Sequence, residues 1–265
     1  MDKNKVSIDD TNISLDLSDA TQAVKENRFQ DAILLLERIL KDQPDNIDAL
    51  YLSAVSSRYL KKFDESKSYI MDLLSNAPDM GRAYQEYGHL NRDQGNEEKA
   101  VMHYRQACEL NPALLASWNF LYQYFTKYKN KPAADHAEEQ LKKLKSLPGL
   151  LLYISQILNE GRLGLAEEKC RAFLKKNPTN TYAMSLLAEI ANRLGYFDDA
   201  EFLLEKAVEF SPDDGDLRTK YAEILRKKQK FSKTMEQVEI LCEKFPDNLN
   251  YKAQKASEIM QNGDH

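Results

Sequence analysis

The sequence predicts an all-α solenoid, a stack of antiparallel helix pairs in about seven repeats plus a terminal helix. Three observations point there: proline recurs at a fixed interval, small side chains recur at fixed places between the prolines, and no segment sustains an apolar period of two. Six of the eight prolines lie on a lattice. Pro44, Pro78 and Pro112 are 34 residues apart, and Pro178, Pro212 and Pro246 repeat that interval. The two sets are separated by 66 residues, two short of two periods.

With each lattice proline numbered as position 32 of its repeat, position 8 carries Ala20, Ala54, Gly88, Ala188, Ala222 and Ala256, with Tyr122 and Ile154 as exceptions. Position 20 carries Ala32, Ser66, Ala100, Ala134, Ala166, Ala200 and Thr234, so the second helix can approach the first closely in every complete repeat. Position 15 holds Gly95, Gly161, Gly195 and Gly263, with Asn27 in the first repeat, which suits the left-handed residue that ends a helix. After the lattice proline comes Asp45, Asp79, Thr179, Asp213 or Asp247, a side-chain oxygen expected to cap the following helix. Apolar residues then recur at helical spacing, as in Ala183, Leu187, Ile190 and Leu194.

A 34-residue period with these small, aromatic and proline positions resembles the tetratricopeptide repeat. The resemblance implies a right-handed superhelix whose first helices line a concave groove. The fourth repeat departs from the pattern. It lacks its terminal proline, carries Pro132 and Pro148 off the lattice, and has a basic second helix over residues 132–146. The expected division is therefore residues 1–146, with repeats one to four, and residues 147–265, with repeats five to seven and one helix of an eighth. Residues 250–261 are expected to serve either as a solvating cap or as the start of a longer array.

Composition narrows the function. The chain is 42% hydrophobic and 30% charged, with a formal charge of -5, too mildly acidic for a dedicated nucleic-acid or anionic-membrane binder. The N-terminal residues lack the apolar core of a secretory signal, and no apolar run approaches the roughly 18 residues of a membrane span. Cys108, Cys170 and Cys242 form no CxxC pair and sit at core positions, which suggests buried reduced thiols in a cytoplasmic protein. His89, His103, His136 and His265 make no metal-ligand spacing, and the common phosphate-loop, dinucleotide and nucleophile-elbow motifs are absent. No catalytic, metal or cofactor residue is assigned.

The resemblance implies that the groove holds a protein or peptide segment. Its candidate lining is Tyr51, Tyr59, Gln85, Glu86, His89, Asn119, Phe120 and Gln123 in the first half, and Tyr182, Glu189 and Arg193 in the second. Aromatic rings give contact area at low entropic cost, and amides can bond an extended backbone. Tyr51→Ala with Phe120→Ala is expected to weaken a ligand without loss of helicity. The carboxylate clamp that captures heat-shock chaperone tails needs Asn at position 9, where this chain has Thr21, Val55, His89, Gln123, Ser155, Glu189, Glu223 and Ser257. A chaperone-tail adaptor is therefore disfavoured. Trp118 stands at a core position of the repeat. The basic run Arg226, Lys227, Lys228, Lys230 and Lys233 falls on a turn with no interleaved aromatic but Phe231, which reads as a solvated turn rather than a nucleic-acid site.

A closer resemblance lies in residues 187–213, LAEIANRLGYFDDAEFLLEKAVEFSPD, and in the flanking residues 147–180 and 245–265. These resemble the repeats that precede the enzyme domain of bacterial tetratricopeptide-repeat sulfotransferases. That family uses 3′-phosphoadenosine 5′-phosphosulfate through a PRSGTT-like loop, a string absent from this chain. The resemblance thus implies a noncatalytic N-terminal interaction module. The alternative is a stand-alone scaffold or adaptor with no attached enzyme.

Overall fold

The computed structural model describes residues 8–261, which form fifteen α-helices and no strand. Gly263 and the chain end lie outside the described residues. Residues Met1–Pro148 form one compact unit and Gly149–His265 a second. The first unit contains α1 (Ile8–Lys25), α2 (Phe29–Asp42), α3 (Ile47–Tyr59), α4 (Phe63–Asn76), α5 (Gly81–Asp93), α6 (Glu97–Leu110), α7 (Leu115–Lys127) and α8 (Lys131–Ser146). The second contains α9 (Gly149–Asn159), α10 (Leu163–Lys176), α11 (Thr181–Arg193), α12 (Phe197–Phe210), α13 (Gly215–Lys227), α14 (Phe231–Lys244) and α15 (Leu249–Gln261). Within each unit consecutive helices pack as antiparallel pairs, the solenoid architecture the repeat predicts.

The turn inside each pair is the same throughout. Position 15 adopts the left-handed conformation in every described repeat, at Asn27, Lys61, Gly95, Lys129, Gly161, Gly195 and Gln229, with φ between 56° and 80°. The next residue's N–H then reaches back five residues, as from Lys62 to the Ser57 carbonyl and from Tyr196 to the Ala191 carbonyl, both at 2.8 Å. This is the bond that satisfies a helix's last carbonyls and reverses the chain. The glycines were legible as such residues. Lys61, Lys129 and Gln229 adopt the same conformation against the preference of a side chain with a Cβ.

The caps fall one residue later than expected. Asn46, Asn180 and Asp214, not Asp45, Thr179 and Asp213, accept the backbone N–H of Ala49, Ala183 and Leu217. Asn248 does the same for Tyr251. The residue after proline completes the turn, and only the next one has the extended backbone that aims its side chain into the helix. Met80 and Leu114 occupy that place in two repeats and provide no side-chain cap.

The small positions let paired helices touch. Ala54 and Ser66 are fully buried, and the Ser66 hydroxyl donates to the Ala54 carbonyl at 2.9 Å, bonding α4 to α3. A Cβ added at Gly88 would fall 2.8 Å from the Tyr104 ring. Glycine there makes room for the bulkiest fully buried side chain of the first unit. In the second unit Leu151, Ile154, Cys170, Ala183 and Ile190 share one core. The leucine and isoleucine side chains each contribute about 1.5–3 kcal/mol by leaving water. Burial pushes the Cys108 thiol up to about 12 and Cys170 to about 11, so both stay protonated. Cys242 departs from the expected burial and is only half-buried.

The turns and caps can be tested separately. Lys61→Gly or Gln229→Gly raises stability in urea unfolding by about 0.5–1 kcal/mol, because relieved strain exceeds glycine's extra entropy cost; a lower midpoint would show that these residues are unstrained. Asn180→Ala costs about 1 kcal/mol and Thr179→Ala only a few tenths. Equal losses would return the cap to position 33.

Candidate interaction groove

Within each unit polar bonds join neighbouring first helices, α3 to α5 and α5 to α7 in the first, and α9 to α11, α11 to α13 and α13 to α15 in the second. In the first unit the junction of α3 with α5 is built on Arg58. Its guanidinium is 6% exposed and donates through Nε to Glu86 at 2.5 Å and through an Nη to Asp93 at 2.7 Å. Arg92 also donates to Asp93, at 2.9 Å. The Arg58 guanidinium lies over the Tyr59 ring, and that ring stacks flat on Phe29, 4.4 Å between centroids. Burial works against the Arg58 charge, but Glu86 and Asp93 more than reverse this and hold its pKa above the ordinary arginine value. Burial lifts Glu86 above the usual carboxylate range while Arg58 pulls it back. For Asp93 burial is outweighed by hydrogen bonds from Arg58 and Arg92, leaving it below that range.

His89 sits beside this network. Its Nδ1 and the Tyr104 hydroxyl share a hydrogen bond at 2.5 Å, and burial together with the charges of Arg58 and Arg92 lowers its pKa to about 4. At neutral pH it is therefore uncharged. Further along, the Ser117 hydroxyl of α7 donates to Gln85 of α5 at 2.9 Å. Phe120 packs on Tyr104 at 4.5 Å, and Tyr124 on Tyr128 at 4.5 Å, giving an aromatic row on α7 and its end.

In the second unit three bonds each span 35 residues. Arg193 donates to the Leu158 carbonyl at 2.9 Å, Lys220 to the Ser185 hydroxyl at 2.8 Å, and Lys227 to the Asn192 amide oxygen at 2.8 Å. Arg226 of α13 pairs with Glu258 of α15, a carboxylate that is 1% exposed. Lys228 and Lys230 converge on Glu201 of α12, and Lys228 also meets Asp198. Four of the five side chains in the basic run are thus engaged within the chain.

The predicted lining sorts into two groups. Tyr59, Asn119 and Gln123 are exposed. Glu86 is 3% exposed and bound to Arg58, so it ties helices together instead of facing a partner. Tyr51 is half-buried under the Arg82 guanidinium, and Phe120 rests on Tyr104, so both support packing as well as surface. Gln85 and His89 are half-buried and already bonded. Tyr182 packs against the second unit's core, and Glu189 binds Arg193 at 2.8 Å. Sequence reasoning missed Asp93, Ser117 and Tyr124. Their signal was available only by pairing each position with its counterpart one repeat away. Among the described residues no group of acidic, histidine and cysteine side chains could hold a metal, and no helix is long and apolar enough to cross a membrane.

These elements define a helix-pair repeat protein with bonded first-helix faces. Family models of the tetratricopeptide repeat match residues 158–224 and 81–114, and the chain contains tetratricopeptide repeats. Solved structures similar to it include Naa15/Naa10 bound to HypK-THB, at 17% identity, 93% coverage of this chain, 39% of that chain and a TM-score of 0.45. The Cut9–Hcn1 hetero-tetramer of the APC/C is 14% identical, with 91% and 48% coverage and a TM-score of 0.43. TTC0263, a thermophilic repeat protein of Thermus thermophilus, is 18% identical, with 94% and 99% coverage and a TM-score of 0.36. The chain spans less than half the length of the first two.

Folding lowers the His89 pKa from 6.5 to about 4. Between those values the unfolded chain takes up a proton that the folded chain refuses, so stability is full above pH 6.5 and declines as pH falls toward 4. The loss approaches about 3 kcal/mol. His89→Gln, whose amide can donate to or accept from Tyr104, should remove this part of the decline in urea titrations across that range; curves for the two proteins that stay parallel would remove His89 from the cause. Arg58→Met should cost about 3–5 kcal/mol by leaving Glu86 buried without its cation.

Proposed function

We propose that this chain is a noncatalytic scaffold that holds an extended protein or peptide segment against the first-helix faces of its repeats. The observation that carries this reading is the first unit's face. There Tyr59, Asn119 and Gln123 stand exposed on helices held in register by the Arg58–Asp93 and Ser117–Gln85 bonds. A ring and two amides on a rigid frame offer contact area and backbone-directed hydrogen bonds with little ordering cost. In the second unit, Lys220 and Lys227 are bound to neutral oxygens. A protein with this role acts by assembling other molecules. The resemblance to sulfotransferase front ends rests on sequence alone, and neither the fold nor the comparisons adds support to it.

The test is site-specific photo-crosslinking in the source cells, with the reactive group placed at Asn119 on the first-helix face or at Met102, 57% exposed on α6. A partner should be captured from Asn119 and not from Met102, and Asn119→Ala with Gln123→Ala should lower its affinity at least tenfold, about 1.4 kcal/mol, without shifting the melting curve. These exposed residues replace Tyr51 and Phe120 as probes, since the latter support packing. Equal capture from both faces would overturn the assignment.

A further inference from the structure

We infer that the first unit holds a second, separate binding site, for an α-amino acid with a large apolar side chain, in the cleft between α6, α7 and α8. The cleft has a volume of about 540 Å³, and none of the groove residues named above lines it. Its floor is apolar: Trp118, Leu121 and Phe125 of α7 line it, and the Trp118 indole N–H is already satisfied by the Pro112 carbonyl at 2.9 Å. Its rim carries Arg105 and Glu109, one helical turn apart on α6.

Those two rim charges identify the ligand. Among the described residues neither Arg105 nor Glu109 has an ion-pair partner, and they do not pair with each other. Side chains one turn apart stand about 5–6 Å from each other at Cβ. A guanidinium and a carboxylate at that spacing above an apolar floor match a carboxylate and an ammonium on one carbon, with the side chain pointing inward. A site of a few placed polar groups over apolar walls is the usual form of small-molecule recognition.

The second unit provides an internal comparison. A cleft of about 200 Å³ occupies the same register between α10, α11 and α12. Arg171 stands where Arg105 does but is neutralised by Glu167 at 2.8 Å, a place taken by Val101 in the first unit. Phe202 occupies the position of His136, and Lys175 that of Glu109. The second-unit copy is smaller, and its arginine is neutralised within the chain. The first unit differs at each of these points.

Trp118 is the chain's one tryptophan, so its fluorescence reads the cleft directly. The probe is L-phenylalanine, excited past the tyrosine absorption, with calorimetry in parallel. We expect a saturable change in Trp118 emission. Phenylpropionate, which lacks the ammonium, and phenethylamine, which lacks the carboxylate, should each bind at least tenfold more weakly. So should L-phenylalanine to Arg105→Gln and to Glu109→Gln, exposed changes that leave helicity and melting as they were. Ala133→Leu, which fills the cleft from α8, should remove the response. No saturable change up to about 10 mM, equal binding of phenylpropionate, or unaltered affinity in both rim variants would each overturn the proposal.

Discussion

The one left-handed residue in each helix pair is the constraint from which the rest of the molecule follows. It ends the first helix, returns the backbone N–H to a carbonyl five residues back, and sends the second helix down alongside the first. Because the residue always stands at the same position, the close contact between positions 8 and 20 falls in the same place each time. Small side chains are needed there for that reason. Side chains that resist this conformation are tolerated at Lys61, Lys129 and Gln229 because the packing on either side over-determines the turn.

A second level of order comes from bonds between neighbouring repeats. Apolar clusters join the helices of a pair and pass to the next, but they do not fix register as a directed polar bond does. Arg58 with Glu86 and Asp93, Ser117 with Gln85, and Lys220 with Ser185 supply that direction. The buried charges are compensated on both sides, since Arg58 has two carboxylates and a ring around it. A face built this way needs little reorganisation when something binds to it.

Much of this was legible in the sequence, and the failures have identifiable causes. The prolines, the small positions and the glycine turns are dictated by covalent geometry and close approach, so their spacing alone revealed the helix pairs. The cap was misplaced by one residue because Asn46 and Asp45 are equally good capping residues, and only the backbone of the preceding turn decides between them. Glu86 read as a groove residue because its position faces inward on an isolated repeat. The arginine that buries it comes from the previous repeat, 28 residues away, which no local periodicity reports. The aromatic row of α7 was only partly visible for the same reason.

Most of the polar bonds between first helices connect residues 32 or 35 positions apart, close to one repeat length, and Arg58–Glu86 spans 28. The spacing recurs, but the partners differ from one junction to the next. Deleting the third repeat would set Arg58 against Phe120 and Lys127, the counterparts of Glu86 and Asp93 one repeat on, and the buried cation would lose both carboxylates. A change of length by one repeat would keep the helix spacing and break the polar fit at the altered junction.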